Sequence, residues 1–362
     1  MKRFGKWTSM LALTAVLAAG CGNATTEVQN PQVEEKPPVE EPIQEEVPVV
    51  YPFTAPLTGL GTEDHLQQRP VSIMVENSPA ARPQSGLQYA DIVYEILAEG
   101  EITRFVAIYH SEDAEVIGPV RSIRPYFVEI GDGLDAVIVH AGWSQDAMNL
   151  LSARKLNHLD AVYGDHEYYW RSDERKAPHN LYTSLEKIAE GAEDRGFREV
   201  WEPVMPVFTE ADDVIAGQAV AKVTMDYLQG YQVAYEYSDE DGLYYRIMAG
   251  EPHVDKETET PLSAMNVLIC RAAHTVTDSA GRREVDIFGP GEGYLLQKGQ
   301  MNEVTWEYRN GMIRAYDESG QEMPLVPGKT WIQVVPQSSN VEFESDLMDE
   351  PSPSGLNSEL PL

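Results

Sequence analysis

Short apolar runs broken by Gly, Pro, Asn and Asp dominate the chain, and few of them keep a helical period. Val71–Glu76 (VSIMVE) reads as a short buried strand between Pro70 and the turn Asn77-Ser78-Pro79. IVYEILAEG from Ile92 and ITRFVAIYH from Ile102 flank Gly100-Glu101 and are rich in β-branched and aromatic residues. They predict an antiparallel hairpin, with a helix over residues 89–98 as the alternative. After Gly118-Pro119, Ile123, Phe127 and Ile130 fall on one helical face. Ser122 is the expected N-cap, Pro125 sits in the first turn, and Gly131 and Gly133 are the stop signals. Residues 135–142 (DAVIVHAG) predict a buried strand, and SQDAMNLLSARK a helix capped by Ser144. Leu185, Ile188 and Ala192 predict a helix reaching about Arg195, capped by Thr183.

From Lys222 onward the pattern changes to strands. KVTMDY, YQVAYEYS, LYYRIMAG, NVLICRAA, GYLLQKG, NEVTWEYR, MIRAYD and TWIQVVP alternate with turns such as Asp241-Gly242, Asn310-Gly311 and Ser319-Gly320. The expected fold class is α+β or α/β. A mixed-sheet α/β domain over residues 51–200 is joined by a connection over 201–221 to a smaller antiparallel β-rich domain over 222–336. Residues 337–362 are acidic, contain Ser and Pro, and are expected to form a disordered tail.

The N-terminus has a different character. Lys2, Arg3 and Lys6 precede a short apolar run and the small residues Ala18, Ala19 and Gly20, a signal peptide over residues 1–20. Cys21 follows as in a bacterial lipobox, with Ala18 where Leu is commonest. The expected product is a lipoprotein, acylated at Cys21 with diacylglycerol and a fatty acid such as palmitate. It would be anchored at the outer, extracytoplasmic face of the cytoplasmic membrane. Residues 21–50, rich in Glu, Pro, Val and Gln, read as a disordered tether. The one other cysteine, Cys270, lies in an apolar run and reads as a buried small hydrophobe.

Charge narrows the function. A formal net charge of −32 repels nucleic acid and anionic headgroups, so no nucleic-acid partner is expected and the membrane is reached only through the lipid. Within this acidic chain, arginines concentrate between Arg69 and Arg175. Arg82, Arg104, Arg121, Arg124 and Arg171 lie at element edges, with Asn77 and Ser122 among them. The guanidinium fork matches carboxylate and phosphate, which points to an anion pocket at GPVRSIRPYF, residues 118–127. Internal pairing with Asp91, Glu95, Glu99 or Glu129 is the alternative. His140, at a strand end, and His179, in a loop, are the candidate acid and base. GPGEG at residues 289–293 lacks the lysine and the following helix of a phosphate loop, and no cofactor or metal set is read.

Taken in order, ENSPAARPQSGLQYADIVYE, EGEITRFVAIY, GPVRSIRPYF, HAGWS, APHNLYTS and GKTWIQVVP resemble the YerB-like lipoprotein family of Gram-positive bacteria. The resemblance covers both halves of the body. It implies a surface lipoprotein with an N-terminal family domain and a smaller C-terminal one. It implies no reaction, because the family is one of unknown function. The expected function is binding of an anionic envelope component, a peptidoglycan fragment (muropeptide) or a phosphate-containing glycopolymer. The rivals are an envelope hydrolase or phosphotransferase using the same arginines with His140 or His179, and a protein-partner scaffold for envelope assembly.

Overall fold

The computed structural model describes residues 50–345, apart from 203–204, 211–212, 229 and 280. The expected signal peptide, Cys21 and nearly all of the expected tether lie outside the described residues, as do residues 346–362.

The first apolar runs form the strands expected of them. β1 (Val71–Glu76), β2 (Ile92–Leu97) and β3 (Thr103–Tyr109) are neighbours, with β2 and β3 antiparallel from Ile92↔Ile108 to Leu97↔Thr103. The helical alternative for residues 89–98 is thereby excluded. All residues of β2 and β3 are buried because both faces of the sheet are covered, which explains the near-continuous apolar pattern. β4 (Val137–His140) and β5 (His158–Asp160) extend the sheet in parallel beyond β1.

Three helices cover the sheet among the described residues: α1 (Pro125–Gly133), α2 (Gln145–Arg154) and α3 (Leu185–Asp194). Ser144 caps α2 as expected, its Oγ accepting the Ala147 N–H at 3.4 Å. Two caps differ from expectation. α3 is capped by Ser184, while Thr183 donates its hydroxyl to the Tyr168 carbonyl. α1 starts only at Pro125, with Arg124 as an N-cap residue that makes no side-chain cap bond. Ser122 cannot cap it, because residues 120–123 are held extended by backbone bonds to Met74, Leu181 and Gly142. The helix ends at Gly133, as expected, and Gly131 lies within it. A Cβ on Gly133 would stand 2.4 Å from the Gly311 carbonyl oxygen, so glycine is needed there for close backbone approach.

The second half supplies β6 (Lys222–Leu228), β7 (Tyr231–Tyr237), β8 (Tyr244–Met248), β9 (Asn266–Ala272), β10 (Gly291–Gln297), β11 (Gln300–Arg309), β12 (Met312–Tyr316), β13 (Thr330–Pro336) and β14 (Val341–Glu344). β6, β7, β8 and β14 belong to a separate antiparallel sheet, edged by Glu251–Pro252. β6 alternates buried and half-buried residues, the mark of a sheet with one covered face. β14 falls where a disordered tail is expected. Val341 and Phe343 stand in register with Met225 and Val223, and Phe343 packs edge-on against Tyr294, which is enough to order the segment.

The remaining strands join the first-half sheet. β9 and β13 run parallel, and β13 pairs in parallel with β2 from Thr330↔Ile92 to Val334↔Ile96. One mixed sheet of eleven strands results among the described residues. The antiparallel sheet packs Val223, Met225, Tyr235 and Tyr244 on one face of it, beside Phe105, Ile269 and Trp331. On the other face lie α1, α2 and the β11–β12 hairpin, over Met74, Ile138, Cys270 and Ile332. Cys270 is fully buried, and burial pushes its thiol up, in keeping with a small hydrophobe.

Candidate functional site

The pairing directions bring the C-terminal ends of β1, β2, β4, β5, β9 and β13 to one edge of the mixed sheet. The stretch before α1 runs along that edge. Arg121 donates its N–H to the Met74 carbonyl at 2.8 Å and accepts the Ala141 N–H at 2.9 Å. The loop following β1 and the start of β3 meet it there. Sequence order alone separates these segments, and the sheet collects them.

At the centre is Glu76, the last residue of β1, with its side chain only 5% exposed. Oε1 accepts the Ser78 hydroxyl at 2.8 Å and His179 Nδ1 at 2.8 Å. A carboxylate can only accept, so an imidazole proton sits on Nδ1, and His179 Nε2 makes no hydrogen bond to the described residues. On the other oxygen, Arg121 Nε lies 3.4 Å from Oε2. Arg121 is 28% exposed, and its two terminal nitrogens make no hydrogen bond to the described residues. Burial lowers its pKa, Glu76 opposes that, and the neighbouring Arg104 adds to it. The resulting unit is one buried carboxylate holding an oriented histidine on one side and an open guanidinium fork on the other.

Arg171 serves this unit indirectly. It donates to Asn180 Oδ1 at 2.8 Å, and its ladder partner Leu181 accepts the Val120 N–H, so the His179 loop is tied to the Arg121 strand. The other predicted arginines are occupied. Arg104 donates to the Ser122 carbonyl at 2.7 Å and to Glu99 at 3.1 Å; Arg124 pairs with the same Glu99 and donates to the Ile123 carbonyl. Internal pairing therefore accounts for both, through Glu99. Arg82 donates twice to Asn77 and lies over the Tyr231 ring. The mouth of α1 opens on a different cleft of about 470 Å³, lined by neither Arg121 nor His179. There Arg124, Arg282 and Arg283 face Glu129, Asp146, Asp278 and Glu284, which offset them.

The structure thus gathers Asn77, Arg82, Arg104, Arg121, Ser122, Arg124 and His179 at one edge, and His140, the last residue of β4, reaches the same edge without joining the Glu76 unit. That histidine is fully buried, with Nδ1 3.1 Å from the Gly142 carbonyl and Nε2 3.1 Å from His158 Nδ1. Burial holds its pKa down to about 4, against the pull of Asp160. With both ring nitrogens engaged it does not form an acid–base pair with His179. Asn77 is also fully buried, so its amide supports the site from behind and does not face a ligand.

What Asn77 supports is a closed ring of buried polar groups. Its Nδ2 donates to Glu95 Oε1; Glu95 Oε2 pairs with Arg246 at 2.6 Å; Arg246 Nε donates to His253 Nδ1. His253 Nε2 then donates to Gln84 Oε1, and Gln84 Nε2 returns to Asn77 Oδ1. Accepting from Arg246 keeps His253 neutral, as do its burial and the nearby cations. Arg246 also lies 4.7 Å from the Trp331 ring centroid, with the rings of Phe105 and Tyr235 close by. Sequence reading missed Glu76, Ser78 and Arg246. For Arg246 a signal existed: it occupies an inward position of period two, between Tyr244 and Met248.

Fold and site define an α+β protein of two packed sheets, with a carboxylate–histidine–arginine unit at the edge of the larger sheet. The chain belongs to a family of unknown function, as the resemblance of its motifs implies. The model described as "Protein of unknown function (DUF3048) N-terminal domain" matches residues 57–198, and the corresponding C-terminal domain matches residues 223–332. The chain is 41% identical over 286 residues to "Putative lipoprotein YerB" of Bacillus subtilis (strain 168), covering 78% of this chain and 86% of that one. A crystal structure of the YerB protein from Bacillus subtilis is similar with a TM-score of 0.75 and 39% identity, over 80% of this chain and 99% of that chain. Among the described residues, no helix is long and apolar enough to cross a membrane.

Proposed function

We propose that the protein is a lipoprotein held at the outer face of the cytoplasmic membrane by lipid on Cys21, and that it binds an anionic envelope component at Arg121. The leader ending in Cys21 and the name carried by the Bacillus subtilis relative support the anchor. The observation that carries the binding reading is the open fork of Arg121 beside the open Nε2 of His179, where the neighbouring arginines are spent on Glu99 and Asn77. A muropeptide carboxylate or a polyol phosphate accepts two parallel hydrogen bonds from such a fork. Calorimetric titration with muropeptides and polyol-phosphate oligomers tests this. Arg121→Ala is expected to weaken binding by about 1.5–3 kcal/mol, with only partial rescue in Arg121→Lys. Unchanged affinity in Arg121→Ala would sink the reading.

A second reading has its own support. Glu76 fixes the tautomer of His179, as a carboxylate does for a general base, which favours an envelope hydrolase or phosphotransferase. It predicts turnover of the bound oligomer that His179→Gln abolishes while binding persists. Binding without turnover in the wild-type protein would leave the first reading alone.

A further inference from the structure

A separate cavity lies away from the edge site and takes no part in the reading above. It is a groove of about 660 Å³ running along α3. That is the size of a ligand-binding cleft. Leu185, Ala189 and Ala192 of α3 line it, opposite Val71, Tyr109 and Val137 of the sheet. Of the helix, Ile188 and Gly191 are buried, so part of its apolar side is left facing the groove and not the core.

The polar groups around this groove are unevenly matched. Its two arginines, Arg69 and Arg198, both pair with Asp135. The side chains of Glu186, Glu193 and Glu199 make no hydrogen bond or ion pair with the described residues. His110 also lines the groove and is 7% exposed. Its Nε2 donates to the Gln68 carbonyl at 2.9 Å, which makes Nδ1 an acceptor, and that Nδ1 is buried without a partner. An apolar cleft with unpaired carboxylates and an unused buried acceptor matches an apolar group flanked by cationic N–H donors.

We propose that this groove is a docking site for a basic segment of a partner protein, one that inserts apolar side chains along α3 and sets Lys or Arg against Glu186, Glu193 and Glu199. Charge argues against the other occupants. Residues 22–49 carry seven glutamates against the single Lys36, and residues 346–362 carry Asp346, Asp349, Glu350 and Glu359 with no cation. A second copy of a chain with net charge −32 and an anionic lipid surface are repelled likewise.

The test is fluorescence anisotropy on the full chain, with a short fluorescein-labelled peptide of leucines and lysines and a version carrying glutamate in place of lysine. The lysine peptide is expected to bind and the glutamate peptide not. Ala189→Trp, a charge-neutral change at an exposed position that fills the groove, is expected to weaken binding about tenfold or more while leaving the melting temperature in place. The double change Glu186→Gln, Glu193→Gln is expected to weaken it about threefold and to flatten its salt dependence. No binding of the lysine peptide, equal binding of both peptides, or an affinity unmoved by Ala189→Trp would each overturn the proposal. Diffuse attraction to an acidic surface would produce the last of these.

Discussion

Glu76 carries three partners on one buried carboxylate, so its loss and the loss of Arg121 have different consequences. Glu76→Gln places an amide donor against Arg121 Nε and leaves a half-buried cation without its counter-charge. The expected cost is about 1–3 kcal/mol in a denaturant titration, exceeding that of Arg121→Ala, whose more exposed side chain leaves Glu76 with Ser78, His179 and the field of Arg104. In ligand titration the order reverses, since the fork belongs to Arg121. Equal destabilisation by the two substitutions would argue against Glu76 as the centre. His140 makes the pH prediction. Its pKa falls from 6.5 unfolded to about 4 folded, so between those values the unfolded chain binds the proton and the native one does not. Stability is therefore flat above pH ~6.5 and falls as pH drops toward ~4. His274, also held near 4 by burial, acts in the same window. His140→Asn should flatten the fall in urea midpoint over that range, and an unchanged slope would reassign it to other groups.

At the scale of elements, the caps give a direct contrast. Ser144 and Ser184 each accept a backbone N–H from the first turn of a helix. Their replacement by Ala is expected to cost about 0.5–2 kcal/mol each. Ser122→Ala should change stability by less than either, because Ser122 precedes α1 without capping it. Thermal melts of the three variants check this. The hairpin of β2 and β3, the Ser144 cap and the strand at β1 were legible because each depends on neighbours in sequence: alternation, a turn, a hydroxyl before an apolar run. The start of α1 was not, since Ser122 looks like a cap until β1 and the turn after β4 claim the backbone around it. Gly133 was legible as the end of α1, but the close backbone approach that requires glycine there shows only when the Gly311 turn is seen against the helix.

For the whole molecule, the Glu95–Arg246 pair joins the two sheets, with both side chains fully buried. Removing one partner leaves the other charged in a dry interior. Arg246→Met is expected to cost about 3–5 kcal/mol, and adding Glu95→Gln should recover part of that. Because β13 pairs with both β9 and β2, neither half of the chain closes the mixed sheet alone. Denaturation followed by tryptophan fluorescence and by far-ultraviolet circular dichroism should give coincident transitions, and two separated ones would contradict the shared sheet. The sequence by itself determined the acidic flanks, the strand-rich second half, the family, and a collection of arginines in want of an explanation. Those are composition and short-range pattern, which need no knowledge of partners. Only the tertiary structure decided which arginine stays open. Glu76 and His179 stand 103 residues apart, and Glu95 and Arg246 stand 151 apart. Periodicity records that a side chain is buried, but the residue it meets there is set by strand pairing across the whole fold.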